Sequence, residues 1–475
     1  MKRKYLKPIF FIGCLIAITG AAMAYSSRVS TWIPNLVNGP GIPDKNGIVS
    51  LTGQLVQDKI YQGGDGLVGF SLTMRADDIL GPTAENLRNV DMVIVLDRSG
   101  SMKGKKIQDA KRAVLNLLSS LSEKDRIALV TYSNGVTKHS GLVNATDTNR
   151  NLLISSIKRI MAGGGTNLGA GLQTGINTLV GARQIGNVGK IILISDGLAN
   201  QGITNPASLG NMASVAVEKE FSVTTVGVGN DFNEHLMTYI ADQGTGNYYY
   251  LENPDAFAEV FQKEFYLSSV AAATSIKVHI PLTNGISLVD ASGYPIKVTR
   301  GRAVFHPGNL RSGQSRKLFL TFKVPTHAQT TFDINGIAVH YIHNENPYVA
   351  TLSKSFRIAC VENEREAISS IEKNEWEQQV IQDDYNKLRD EVSKDIKEGK
   401  QKKALDRIHT YHMKTQQLNT IVGSAKVAEN LDKDLGELRS FVQDTFQGEP
   451  AAVMQKQKTH SKVLQYEGYK GRKKN

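Results

Sequence analysis

Hydrophobic and polar positions change their period along the chain. Gly47 to Val56 alternates, and Gly66 to Met74 alternates again after Gly63-Gly64. These predict two strands, which need a partner sheet to be stable. Met92 to Leu96 is an unbroken apolar run rich in branched residues. Such a run predicts a strand buried on both faces of a parallel sheet. From Gly104 the apolar positions Ile107, Ala110, Val114, Leu117, Leu118 and Leu121 take helical spacing. Strands are then predicted at Arg126–Tyr132, Val136–Val143, Lys190–Ser195, Phe221–Val228 and Tyr248–Leu251. Between and after them, helices are predicted at Leu152–Ile160, Leu168–Leu179, Ala207–Lys219, Phe232–Ala241 and Ala256–Tyr266. Repeated strand–helix alternation implies a mostly parallel sheet with helices on both faces.

From Ser268 to Val361 the period becomes two. Strands are expected at Thr274–Ile280, Lys297–Phe305, Lys317–Val324, Phe332–Tyr341 and Val349–Ile358, with turn signals such as Thr283-Asn284-Gly285. That is a β-sandwich pattern. The early strands are expected to join it, so that the α/β part is an insertion. Asn363 to Phe446 is helical and charged, broken at Lys397-Glu398-Gly399-Lys400, which predicts an antiparallel hairpin or small bundle. Beyond Gly448-Glu449-Pro450 the chain is polar and basic and closes on Lys470 to Lys474. It reads as a solvated, disordered tail, with contact to anionic lipid or envelope polymer as the sharper alternative. The expected division is 1–24 signal peptide, 25–46 linker, 47–88 strands of the sandwich, 89–266 α/β domain, 267–361 sandwich, 362–447 helices and 448–475 basic tail.

Composition adds three points. Lys2, Arg3, Lys4 and Lys7 precede an apolar run from Ile9 to about Ala22, followed by Ala22-Met23-Ala24. This is the form of a cleaved export signal; as an uncleaved anchor it is short of the roughly 20 apolar residues that span a bilayer. Only two cysteines occur in 475 residues, and Cys14 lies in that segment. An exported chain would keep Cys360 alone, as a buried thiol, and would depend on packing rather than disulfides. The net charge of +11 is concentrated at the two ends, and no basic motif is interleaved with aromatics, which argues against nucleic acid as a partner.

The chemistry gathers behind the first buried strand, where Asp97, Ser99 and Ser101 form D-x-S-x-S with Gly100 at the turn. Carboxylate and hydroxyl oxygens suit a hard cation such as Mg²⁺, which takes about six oxygens. Thr166, after Gly163-Gly164-Gly165, and Asp196, at the end of Ile191–Ser195, are further donors. Asp97, Ser99, Ser101, Thr166 and Asp196 together resemble the metal-ion-dependent adhesion site of von Willebrand factor type A (vWA) domains, with no position missing. Gly246-Asn247-Tyr248-Tyr249-Tyr250 and the helix after Pro254 are similar to the end of bacterial members. The resemblance covers roughly Asn89 to Tyr266 and implies a doubly wound, Rossmann-like sheet. It also implies that Asp97 and Asp196 hold the cation, that Ser99, Ser101 and Thr166 ligate or orient it, and that a Glu or Asp of a partner protein completes it. Mn²⁺ and Ca²⁺ share this oxygen chemistry. Lys103, Lys105 and Lys106 on the rim would steer an acidic partner, or are an ordinary solvated helix start.

The sequence holds no H-E-x-x-H, C-x-x-C or G-x-S-x-G, and Ser99 and Ser101 have no base nearby in sequence, so catalysis is not expected. His409 and His412 lie three apart on a predicted helix without an evident third ligand. The expected function is exported, cation-dependent adhesion or protein binding. The alternative is an envelope scaffold or assembly subunit whose helical region makes the main contact.

Overall fold

The computed structural model describes residues 44–79, 87–182, 184 and 186–473. The expected signal segment, and the linker as far as residue 43, lie outside the described residues. The chain begins with β1 (Asp44–Asn46), β2 (Val49–Leu55), β3 (Lys59–Tyr61) and β4 (Leu67–Ala76). The α/β part follows: β5 (Val90–Asp97), α1 (Lys105–Ser120), β6 (Arg126–Tyr132), β7 (Val136–Lys138), β8 (Val143–Asn144), α2 (Asp147–Lys158), α3 (Leu168–Val180), β9 (Val188–Ser195), α4 (Pro206–Glu218), β10 (Phe221–Val228), α5 (Glu234–Gln243), β11 (Thr245–Leu251) and α6 (Phe257–Ser269). Then come β12 (Ala271–Pro281), β13 (Ser287–Ala291), β14 (Lys297–Thr299), β15 (Arg302–Phe305), β16 (Leu310–Arg311), β17 (Ser315–Lys323), β18 (Thr331–Ile334), β19 (Ala338–His343), β20 (Asn346–Thr351) and β21 (Phe356–Val361). The last part holds α7 (Glu364–Ser369), α8 (Lys373–Gln378), a π-helical turn (Gln379–Asp384), α9 (Tyr385–Lys397), α10 (Gln401–Val422), α11 (Ala425–Glu429), a second π turn (Asn430–Asp434), α12 (Leu435–Thr445) and α13 (Pro450–Lys473).

The α/β part is built on the sheet β11-β10-β9-β5-β6-β7, with β8 also paired to β6. β11, β10, β9, β5 and β6 run parallel. Alternate residues of β5 enter opposite cores. Met92, Ile94 and Leu96 pack with α1, α2 and α6, whereas Val93 and Val95 pack with α3, α4 and α5. Both faces are dry, which is why the run reads apolar throughout. Helix entries follow side-chain chemistry: Asn167, Asn205 and Asn233 each accept a backbone N–H at the start of α3, α4 and α5.

Around this insertion the β-rich part is continuous. β4 pairs with β17 from Leu67↔Lys323 to Ser315↔Arg75, in the sheet β1-β2-β4-β17-β13. The strands before the α/β part thus share a sheet and a core with those after it. Four expected strands are each split. Lys297–Phe305 is a hairpin, because Arg300 (φ 51°) and Gly301 (φ 71°) make a two-residue turn with both φ positive. Phe332–Tyr341 divides into β18 and β19 at Gly336 (φ 67°), Val349–Ile358 into β20 and β21, and Val136–Val143 into β7 and β8. Residues 44–46 of the expected linker are a strand paired with β2.

The expected disordered tail is a correction. Residues 450–473 form helix α13, which packs along α9 and reaches the α/β part. Ser461, Leu464, Gln465 and Gly468 make its buried stripe. Gly468 and Gly471 let it approach α9 closely, since a Cβ at 468 would lie 2.6 Å from the Asn386 carbonyl oxygen. The basic residues are drawn inward by carboxylates. Lys462 meets Glu234, Arg472 meets Asp290 and Asp383, and Lys473 meets Asp242. Three charges that contact with an anionic surface would use are therefore spent inside the molecule.

Candidate metal centre at the carboxyl edge of the parallel sheet

Asp97 is the last residue of β5, and Asp196 directly follows β9, its parallel neighbour. Both side chains are fully buried. Ser99 follows Asp97 in a tight turn, its backbone N–H donating to Asp97 Oδ1 at 2.7 Å. A short 3₁₀ turn over Gly100–Met102 then carries Ser101 to the surface. The Ser101 hydroxyl donates to Asp196 Oδ1 at 2.7 Å and lies 3.0 Å from Ser99 Oγ. Four of the five expected residues are thus joined in one hydrogen-bonded chain across two strand ends. Thr166 comes from the loop before α3, and its N–H donates to Asn200 Oδ1 at 2.9 Å. A Cβ added at Gly197 would lie 3.3 Å from Ser101 Oγ and 3.6 Å from Thr166 Oγ1. The bare glycine leaves both hydroxyls facing one small space.

Further residues, not singled out in the sequence, complete the site. The Ser195 hydroxyl donates to Asp97 Oδ2 at 3.0 Å. Gly100 N–H donates to the Gly164 carbonyl at 2.9 Å, and Gly163 N–H to the Arg98 carbonyl at 2.7 Å, lacing the two loops together. Asn134 Oδ1 accepts from Gly165 N–H at 2.5 Å and from Gln201 Nε2 at 3.0 Å. Ser195 and Asn200 flank Asp196 in sequence, and that proximity was the available signal.

The rim lysines divide. Lys106 places its ammonium 2.5 Å from Asp196 Oδ2. Lys105 pairs with Asp109 and Asp255. Lys103 is exposed. His409 and His412 remain on α10, and among the described residues no three of His, Cys, Asp or Glu cluster in a way that could hold a metal.

The donor set is hard oxygen throughout. Burial, helped by the neighbouring Asp196 charge, lifts the Asp97 carboxyl to about 6 against the hydrogen bonds from Ser99 and Ser195. A buried carboxyl in that condition is stabilised by added positive charge. Lys106 already meets Asp196 Oδ2, so a bound cation would share that carboxylate with the ammonium or displace it. The residues fit a divalent hard cation.

The sequence profile of the von Willebrand factor type A domain matches residues 91–263. The α/β part is a vWA domain. YfbK of Escherichia coli (strain K12), an uncharacterized protein, is 30% identical over 199 residues, 42% of this chain and 34% of its own length. Inter alpha-trypsin inhibitor heavy chain 4 of Mus musculus is 33% identical over 165 residues, 33% of this chain and 18% of its own. This chain therefore spans about a third or less of those two relatives. A von Willebrand factor type A structure from Catenulispora acidiphila aligns with a TM-score of 0.61 at 17% identity, covering 88% of this chain and 94% of its own. That likeness is one of fold, and it extends beyond the vWA domain into the β-rich and helical parts.

Proposed function

We propose that the chain is an exported, divalent-cation-dependent adhesion or protein-binding protein rather than an enzyme. Asp97, Ser99, Ser101, Thr166 and Asp196 hold Mg²⁺, and the cation receives a Glu or Asp carboxylate of a partner protein. The carrying observation is the convergence of two fully buried carboxylates, tied through Ser101, on an edge where Ser101 itself is exposed. When bound, the cation would supply a Lewis-acidic attachment point for an outside oxygen. The protein's own groups orient the donors: Ser195 holds Asp97, and Asn200 holds the Thr166 loop.

Two features support a protein partner. A vWA domain is a protein-binding module, and one is present here. Met161, Leu198 and Ile203 stand exposed on the loops that bear Thr166 and Asp196, apolar surface that a protein face would cover. Among the described residues no helix is long and apolar enough to cross a membrane, so attachment would have to come from elsewhere.

The test begins with Mg²⁺ titration by calorimetry on the wild-type, Asp97→Ala and Asp196→Ala proteins, each checked for folding by circular dichroism. It continues with capture of protein partners from an envelope or extracellular extract in Mg²⁺ and in EDTA. The reading requires Mg²⁺ binding in the wild type alone, and a partner lost with EDTA and with both substitutions. A partner that ignores all three conditions would sink it.

A further inference from the structure

A cavity of about 840 Å³ opens between the β-rich part and the helices, far in sequence from the metal-site residues. Its walls come from β3, β4, the π turn, α9 and α10. Val56, Ile60, Ile371 and Leu418 make much of it apolar, and Trp376 and Tyr411 add aromatic surface. A largely apolar cavity of this size, between two layers and with a few polar groups, is the usual form of a small-molecule site.

The polar groups are placed by the π turn. In a regular α-helix, residues five apart point about 140° away from each other, at about 100° per residue. The wider i→i+5 winding of a π turn brings them toward the same face. Gln379 and Asp384 are five apart, open and close that turn, and both line the cavity. The Gln379 side chain hydrogen-bonds Asp384. Its Oε1 is buried and has no hydrogen-bond partner among the described residues. Gly69 makes room for it, since a Cβ there would lie 2.0 Å from that oxygen.

The charges lining the cavity are unequal in availability. Each cation is engaged by a carboxylate: Lys387 by Asp290, Lys403 by Asp395, Arg407 by Asp395 and Glu391, and Lys414 by Asp65. The adjacent Asp383 is taken by Arg472. Asp384 has no ion pair among the described residues. Burial, with the charge of Asp383, pushes its carboxyl up to about 7. The inner polar end therefore offers a carboxyl that no lysine or arginine contacts directly, although the charges of Lys387 and Arg472 reach it. Its aromatic neighbours also favour positive charge.

We propose that this cavity is a binding site for a small organic ammonium: a protonated amine on an apolar or aromatic body. The ammonium donates to the Asp384 carboxylate, and the body lies against Trp376, Tyr411 and the aliphatic wall.

The test uses one ring with three head groups: tryptamine, tryptophol and indole-3-acetate, titrated calorimetrically into the full chain at pH 7. Tryptamine is expected to bind at least tenfold more tightly than tryptophol, and indole-3-acetate more weakly than either. Asp384→Asn should bring tryptamine to within about twofold of tryptophol. Asp97→Ala should bind all three as the wild type does, which separates this site from the metal face. Equal or tighter binding of indole-3-acetate, absence of binding by all three, or a tenfold ammonium preference that persists in Asp384→Asn would each overturn the proposal. The wild-type comparison needs no variant to fold.

Discussion

Glu234, the first residue of α5, is a buried acid at the junction of the vWA domain with the helical part. Its Oε2 is 2.6 Å from Lys462 of α13, and its Oε1 is 2.6 Å from Lys397 of α9. Lys462 is almost wholly buried; it also donates to the Phe232 carbonyl at 2.8 Å and sits over the Phe232 ring. Burial pushes the Glu234 carboxyl up, but the two lysines outweigh it and hold it at about 2. Relative to an ordinary 4.5, at about 1.36 kcal/mol per unit, that is worth ~3 kcal/mol. Lys462 is itself lowered by burial, which returns part of this gain. Glu234→Gln leaves a buried ammonium facing an amide, whereas Lys397, nearly half exposed, can turn to water. The expected loss is about 2–4 kcal/mol, just under the range for breaking a buried pair. Urea unfolding would measure it, with hydrogen exchange of α13 showing where protection is lost. Adding Lys462→Met should recover at least ~1 kcal/mol, because no buried charge then lacks a partner. Because the folded carboxyl is depressed, its contribution is complete above about pH 4.5 and is lost as pH falls through about 2. A Glu234→Gln protein within ~0.5 kcal/mol of wild type, or one with unchanged α13 protection, would refute the reasoning.

Other substitutions test other joints. A Cβ at Gly171 would lie 2.6 Å from the ring of fully buried Tyr132, so Gly171→Ala should cost about 1–3 kcal/mol in a thermal or urea melt. Arg472 bridges Asp290 and Asp383, and Arg472→Met should destabilise by roughly 3–5 kcal/mol by leaving two buried carboxyls facing a thioether. Cys360 is buried and its thiol is raised by burial, so an aromatic disulfide reagent should modify it in urea and not in native buffer. Gly197→Ala places a methyl 3.3 Å from Ser101 Oγ and should weaken Mg²⁺ binding by about tenfold with the melting temperature nearly unchanged.

The vWA sheet was legible because its signals are local. β5 and β9 are apolar on both faces, which only a sheet covered by helices allows, and each run ends on an acid that strand direction places at one edge. The glycine-rich loop before Thr166 and the D-x-S-x-S turn are local in the same sense. The split strands were less legible, because period two runs on through the Arg300-Gly301 turn and only the backbone conformation reveals the break. That Ser195 orients Asp97 was hidden for a different reason: the two residues are adjacent only because β5 and β9 pair.

The sequence by itself determined the alternation of strands and helices, the two-sided burial of the central strands and the order of the oxygen donors. These depend on spacing along one segment. The tertiary structure alone decided the fate of the charges. Lys462, Arg472 and Lys473 look solvated because a lysine or arginine is costly to bury unless a carboxylate meets it. The carboxylates that meet them, Glu234, Asp290, Asp383 and Asp242, lie between 89 and 231 residues away in sequence. No local pattern carries that information, and the difference is between a loose basic tail and a helix that fastens the chain's end to the vWA domain.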